Sequence, residues 1–128
     1  MALREMLKVL VVDDMSTSRG ILLQALDALG VANVSYAENG RTGMVQAKQS
    51  APHLILSDLY MPELNGLQLL QHLRADPATQ KIGFILVTGR GDEAVIQTGK
   101  KLGMNNFLTK PFTSSQLKDC IEAVVGRL

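Results

Sequence analysis

The chain has one cysteine, Cys120. A lone thiol excludes an internal disulfide and any metal site built from several cysteines. No apolar run approaches the roughly 20 residues that a membrane-spanning helix needs. The N-terminal stretch MALREMLKVLVVDD carries charges inside its apolar run and has no small-residue cleavage site, so it does not read as a signal peptide. Charge of either sign is not in excess: 13 Lys and Arg face 12 Asp and Glu, for a formal net charge of +1. No overall field calls for nucleic acid. The first apolar run is followed by no glycine-rich loop, which excludes a dinucleotide fingerprint and a P-loop. Internal repeats, low-complexity segments and linker-like shifts in composition are missing too. These absences lead to the expectation of a cytoplasmic protein that neither binds DNA nor inserts into a membrane. What remains is an ordinary globular composition, 46% hydrophobic and 20% charged over 128 residues. That suits a single domain, 1–128, with a core of its own.

Periodicity alternates regularly along the chain. MLKVLVV (6–12) is a Val-rich apolar run of the kind a strand buried on both faces requires. A helical stripe follows through Ile21, Leu22, Ala25, Leu26 and Leu29, closed by Gly30. NVSYA (33–37) reads as a second strand, and 39–50 as a helix with Asn39 at its N-cap and Pro52 beyond its end. HLILS (53–57) is a third strand and 64–75 a helix repeating Leu67, Leu70 and Leu73. GFILVT (83–88) is a fourth strand, 92–102 a weaker helix, NNFLT (105–109) a fifth strand, and 113–127 a last helix. Thr113 and Gln116 have the spacing of a capping box, ahead of a stripe of Leu117, Ile121, Val124 and Leu128. Five strands alternating with five helices predict an α/β fold, a doubly wound parallel sheet with helices on both faces. In such sheets ligands bind beyond the carboxyl ends of the strands, so residues at those ends are read as one group.

That group is chemically specific. Asp13 and Asp14 follow the first strand, Asp58 the third, Thr88 ends the fourth, and Lys110-Pro111 follows the fifth. Three carboxylates brought together repel, and one would be driven towards its neutral form. A hard divalent cation removes the conflict, and Mg²⁺ suits carboxylates, waters and a substrate phosphate. No His or Cys stands at these ends, which argues against zinc or thiol chemistry.

In order and at the strand ends, these motifs resemble the response-regulator receiver domain, the CheY-like fold of two-component signalling. The carriers are Asp13-Asp14, Asp58 with Met61, Pro62 and Gly66, Thr88-Gly89, and Lys110-Pro111. The resemblance spans essentially the whole chain and implies the flavodoxin-like strand order 2-1-3-4-5. It implies that Asp58 takes a phosphoryl group from a histidine kinase or a histidine phosphotransfer protein. It implies that Asp13, Asp14, Asp58 and the Tyr60 backbone carbonyl hold Mg²⁺, that Thr88 and Lys110 meet phosphoryl oxygens, and that the Lys110–Pro111 peptide is cis. Tyr60 and Arg90, two positions after Asp58 and Thr88, would flank the phosphoryl group and limit access by water. Phe107 would be the switch aromatic, standing where chemotaxis members often have Tyr.

The expected function is a stand-alone response regulator, a monomer that switches a protein target through the 92–127 face, with chemotaxis or motility as its setting. A phosphorelay intermediate and a phosphate sink are the alternatives. The expected chemistry is that of a phosphoacceptor switch with Mg²⁺-dependent self-phosphorylation and dephosphorylation, not that of an enzyme acting on other molecules. A Mg²⁺-dependent phosphohydrolase of the haloacid-dehalogenase type fits less well, because it wants its Asp nucleophile after the first strand and a second Asp two positions on. His53, at the wrong end of a strand, and His72, on a helix, are expected to be structural or solvent-facing. Cys120, beside the last apolar stripe, is expected to be a packed thiol. Asn65, before Gly66, suits a turn.

Overall fold

The structure, a computed structural model, describes residues 2–89 and 93–128. Five strands form one parallel sheet in the order β2-β1-β3-β4-β5. They are β1 (Val9–Val12), β2 (Val34–Ala37), β3 (Leu54–Asp58), β4 (Gly83–Thr88) and β5 (Asn106–Thr109). Every residue of β1, β3 and β4 is buried. This is why these strands read as unbroken apolar runs rather than as alternating ones.

The period of two separates two cores. Val9, Val11, Leu54, Leu56, Ile85, Val87 and Leu108 face one side, where they meet Leu22 and Leu26 of α2 (Ser16–Ala28) and Leu117 and Ile121 of α6 (Ser114–Val125). Leu10, Val12, Ala37, Ile55, Phe84 and Leu86 face the other. There they meet Ala47 of α3 (Gly40–Ser50), Leu69, Leu70 and Leu73 of α4 (Gly66–Ala75), and Val95 and Leu102 of α5 (Glu93–Leu102). Each fully buried leucine contributes about 1.5–3 kcal/mol relative to exposure.

Three helix starts are capped as their sequences dictate. Asn39 accepts from the Thr42 N–H, and Thr113 and Gln116 form the expected capping box. Asn65 and Gln68 form another, so Asn65 is the N-cap of α4 and not merely a turn residue. Gly30, just after α2, has φ +83°, a conformation that glycine adopts at no steric cost.

The described residues contain six helices where five were expected. The extra one is α1 (Leu3–Met6), which occupies part of the segment read as the first strand. Leu7 caps it, giving its N–H to the Leu3 carbonyl at 2.9 Å, and buries its side chain in the first core before the ladder begins at Val9. Apolarity at Leu7 thus reflects core packing, not strand pairing, while Met6 is exposed at the end of α1. Ile21 also departs from expectation: it is exposed, and Leu22 and Leu26 carry the buried stripe of α2. The third strand runs one residue further than expected, because Asp58 still pairs with Val87 of β4. The expected helix 92–102 is α5, and residue 92 lies outside the described residues.

Candidate functional site

The ends of β1, β3, β4 and β5 bring their polar residues to one edge. Asp13 follows β1 and is fully buried. Its charge is not left bare: Oδ1 accepts from the Met15 N–H at 3.0 Å, and Oδ2 accepts from the Ser18 hydroxyl at 2.5 Å. Asp14 is exposed beside it. Asp58 is 8% exposed at the tip of β3. One ligand atom from each of these three carboxylates can be chosen so that all lie within 4.8 Å of one another.

Lys110 reaches this cluster from the end of β5. Its backbone N–H donates to the Thr88 carbonyl at 2.9 Å, which continues the ladder one step past the strand. The Lys110–Pro111 peptide is cis, as expected. The Lys110 Nζ lies 3.3 Å from Asp58 Oδ1, 3.6 Å from Asp13 Oδ2 and 2.7 Å from Ser18 Oγ. Thr88 is buried at the end of β4.

The electrostatics single out Asp58. Burial raises its pKa above the usual carboxylate value, and Asp13 adds to the rise. Lys110 and the Leu59 N–H, which donates to Oδ1 at 3.0 Å, oppose it without reversing it. Both hydrogen bonds to the carboxylate among the described residues fall on Oδ1. Oδ2 accepts neither of them.

The donor chemistry fits a hard divalent cation. Among the described residues, three carboxylates face a single ammonium, which pairs with Asp13 and Asp58, and the ligands are oxygens only. Asp13, Asp14 and Asp58 are the side chains that would hold Mg²⁺.

The path of the chain after Asp58 is fixed by packing. Gly66, the first residue of α4, gives its N–H to the Leu59 carbonyl at 2.9 Å. A Cβ at Gly66 would stand 2.3 Å from the Asp58 carbonyl oxygen. The helix thus starts directly against the end of β3, and only glycine permits that approach. Tyr60, between them, is 58% exposed.

Phe107 on β5 is half-buried and packs against the second core, with Val95, Leu102 and Met104. Its carbonyl accepts from the Cys120 thiol at 3.4 Å. Cys120 is buried, which pushes its thiol up to about 11. His53 stands at the opposite end of the sheet, where its Nδ1 accepts from the Lys8 N–H, and His72 is exposed on α4. Neither belongs to the cluster. Arg90 lies outside the described residues.

One member of the cluster was not anticipated from sequence. Ser18, in the first turn of α2, touches both Asp13 and Lys110. A serine near a helix start reads as local polarity, and only the approach of Lys110 from 92 residues away gives it a place in the site.

The chain is similar to known proteins along most of its length. The family model described as the response regulator receiver domain matches residues 9–122. A probable chemotaxis protein CheY from Rhizobium etli is 44% identical, with 100% of this chain and 99% of the relative covered. The chemotaxis protein CheY1 of Helicobacter pylori is 40% identical, with coverage of 94% and 98%. The crystallised chemotaxis protein CheY4 of Vibrio cholerae superposes with a TM-score of 0.87 at 27% identity, over 93% of this chain and 98% of that one. This chain belongs to the response regulator receiver domain family.

Proposed function

We propose that the protein is a chemotaxis-type response regulator, switched by phosphoryl transfer to Asp58. The observation that carries this reading is the convergence of a buried, incompletely compensated Asp58 with Lys110 and the Asp13/Asp14 pair. An Oδ2 oxygen of Asp58 attacks the phosphorus of a phosphohistidine on a histidine kinase or phosphotransfer protein. The new O–P bond forms as the N–P bond breaks, and the imidazole nitrogen departs with the electron pair. Asp13, Asp14, Asp58 and the Tyr60 backbone carbonyl would hold Mg²⁺, which would supply charge stabilisation for the transferring phosphoryl group. Lys110 pairs with one phosphoryl oxygen as a compact point charge, and the Thr88 hydroxyl donates to another. Tyr60 flanks the acyl phosphate and restricts the water that hydrolyses it.

The output follows from the same groups. As Thr88 moves towards the phosphoryl oxygens, space opens behind it, and the half-buried Phe107 ring turns inward. The surface of α5, β5 and α6 then changes for a protein target. Burying the rest of a half-buried ring favours the inward state by less than the about 1.5–3 kcal/mol of a fully exposed one. The reading places the protein in the cytoplasm, where such kinases present their phosphohistidines. It is supported by two curated relatives named as chemotaxis proteins and by the absence, among the described residues, of any helix long and apolar enough to cross a membrane.

Incubation with acetyl phosphate and Mg²⁺ tests the proposal. The expected result is one phosphoryl group per chain, held long enough to detect. Rapid multiple turnover identifies a phosphohydrolase instead, and no labelling identifies a scaffold that is never phosphorylated.

A further inference from the structure

The Ser18 hydroxyl is bonded on both sides within the site. Its Oγ lies 2.5 Å from Asp13 Oδ2 and 2.7 Å from Lys110 Nζ. The direction of both bonds is fixed by chemistry. An ammonium only donates and a carboxylate only accepts, so the hydroxyl accepts from Lys110 and donates to Asp13. The direct separation of Lys110 from Asp13 is 3.6 Å, beyond ordinary hydrogen-bond length. Ser18 is therefore the link that joins them. Helix α2 supplies the rigid base, since Ser18 is fixed in its first turn. Lys110 has a flexible four-carbon stem that would otherwise leave its ammonium free to settle directly on either carboxylate.

We propose that Ser18 is a positioning residue for phosphoryl transfer. Its hydroxyl holds the Lys110 ammonium between Asp13 and Asp58, and it holds Asp13 Oδ2 in the orientation from which that carboxylate serves the cation. The inference rests on the reading that Lys110 and Asp13 assist transfer to Asp58. Hydrogen-bond partners that orient metal-ligating carboxylates typically change metal affinity by about 10–100-fold when removed. Loss of Ser18 acts twice in the same direction. Asp13 loses its donor, and the released ammonium competes with the cation for that carboxylate.

The test compares the parent with Ser18→Ala and Ser18→Thr. Alanine suits a helix and removes only the hydroxyl; threonine keeps it. Calorimetric titration with Mg²⁺ is expected to show affinity about tenfold weaker in Ser18→Ala and near the parent in Ser18→Thr. The maximal rate of labelling by acetyl phosphate falls with it, while the half-saturating donor concentration stays the same. In ¹⁵N spectra of the lysine ammonium groups without Mg²⁺, the Lys110 signal shifts or broadens in Ser18→Ala and is kept in Ser18→Thr. Parental Mg²⁺ affinity with an unchanged Lys110 signal in Ser18→Ala overturns the inference, as does a loss that Ser18→Thr shares in full. Asp58→Asn, run in parallel, separates the two levels. If it still labels, the assignment of Asp58 fails; if it does not label and Ser18→Ala behaves as the parent, only the role of Ser18 fails.

Discussion

Replacing Lys110 by methionine keeps most of the apolar stem and deletes the only Lys or Arg group among the described residues within 4 Å of a carboxylate oxygen of the acidic cluster. At an effective dielectric near 20, a unit charge pair at the 3.3 Å of Lys110–Asp58 attracts by roughly 5 kcal/mol. The pair at 3.6 Å with Asp13 adds nearly as much, about 4.6 kcal/mol. Most of that gross attraction is offset by the cost of taking the ammonium out of water. What remains on removing one partner of a largely buried pair is typically about 3–5 kcal/mol. Lys110 keeps 26% of its side chain exposed, which places the expected loss at the low end, about 3 kcal/mol. The loss belongs to the metal-free protein. A divalent cation replaces the missing charge, and with no ammonium competing for Asp13 and Asp58 the variant binds Mg²⁺ more tightly than the parent. Urea unfolding with and without Mg²⁺, together with calorimetric titration, measures both effects. In Mg²⁺ at a hundredfold excess over Kd the parent gains about 2.7 kcal/mol, and Lys110→Met gains more. Equal stability of variant and parent without Mg²⁺ would refute the charge argument, and so would weaker Mg²⁺ binding by the variant.

Asp58→Asn should make the metal-free protein more stable at neutral pH. A carboxyl whose pKa is raised in the fold holds its proton to higher pH than in the unfolded chain, so it removes stability as pH rises through that window. Chemical unfolding of the two proteins across the range just above the usual carboxylate pKa should give a flatter profile for the variant; a matching slope contradicts the assignment. Gly66→Ala drives a Cβ against the Asp58 carbonyl oxygen at 2.3 Å, so it should cost about 1–3 kcal/mol or more and slow labelling of Asp58. Parental stability and labelling would show that α4 can retreat freely. Phe107→Ala should lower stability by up to about 3 kcal/mol, the low end for a half-buried ring, and leave phosphorylation intact while removing NMR shifts along 93–127. If the phosphorylation-dependent shifts persist, the ring is plain core.

The sheet was legible because its central strands are buried on both faces. GFILVT shows the boundaries of β4 to the residue, since a run this short, rich in β-branched and aromatic residues, suits a strand covered on both faces. The cluster was legible for a related reason: carboxylates and a lysine at strand ends have no use in a core, so their recurrence points to one edge. Local signals failed where packing decides. Met6 and Leu7 look like strand, yet one ends a short helix and the other fills the core beneath the sheet. Ile21 fits the helical stripe by spacing but stays exposed, because the buried face of α2 is carried by Leu22 and Leu26. Ser18 was missed because its partners come from Asp13, five residues away, and Lys110, 92 residues away. No local pattern encodes that meeting. The Asn65–Gln68 capping box was written in the sequence, but the turn reading of Asn65 concealed it.

The central claim is that Asp58 alone carries the phosphoryl group. Its most direct test is to label the protein with acetyl phosphate and Mg²⁺, trap the acyl phosphate by borohydride reduction, and map the modified residue by peptide mass spectrometry. The predicted result is a single modified position, Asp58, with no label in Asp58→Asn although that variant remains folded. Undiminished label in Asp58→Asn, for instance on Ser57, or a trapped group on Asp13 or Asp14, would contradict the account.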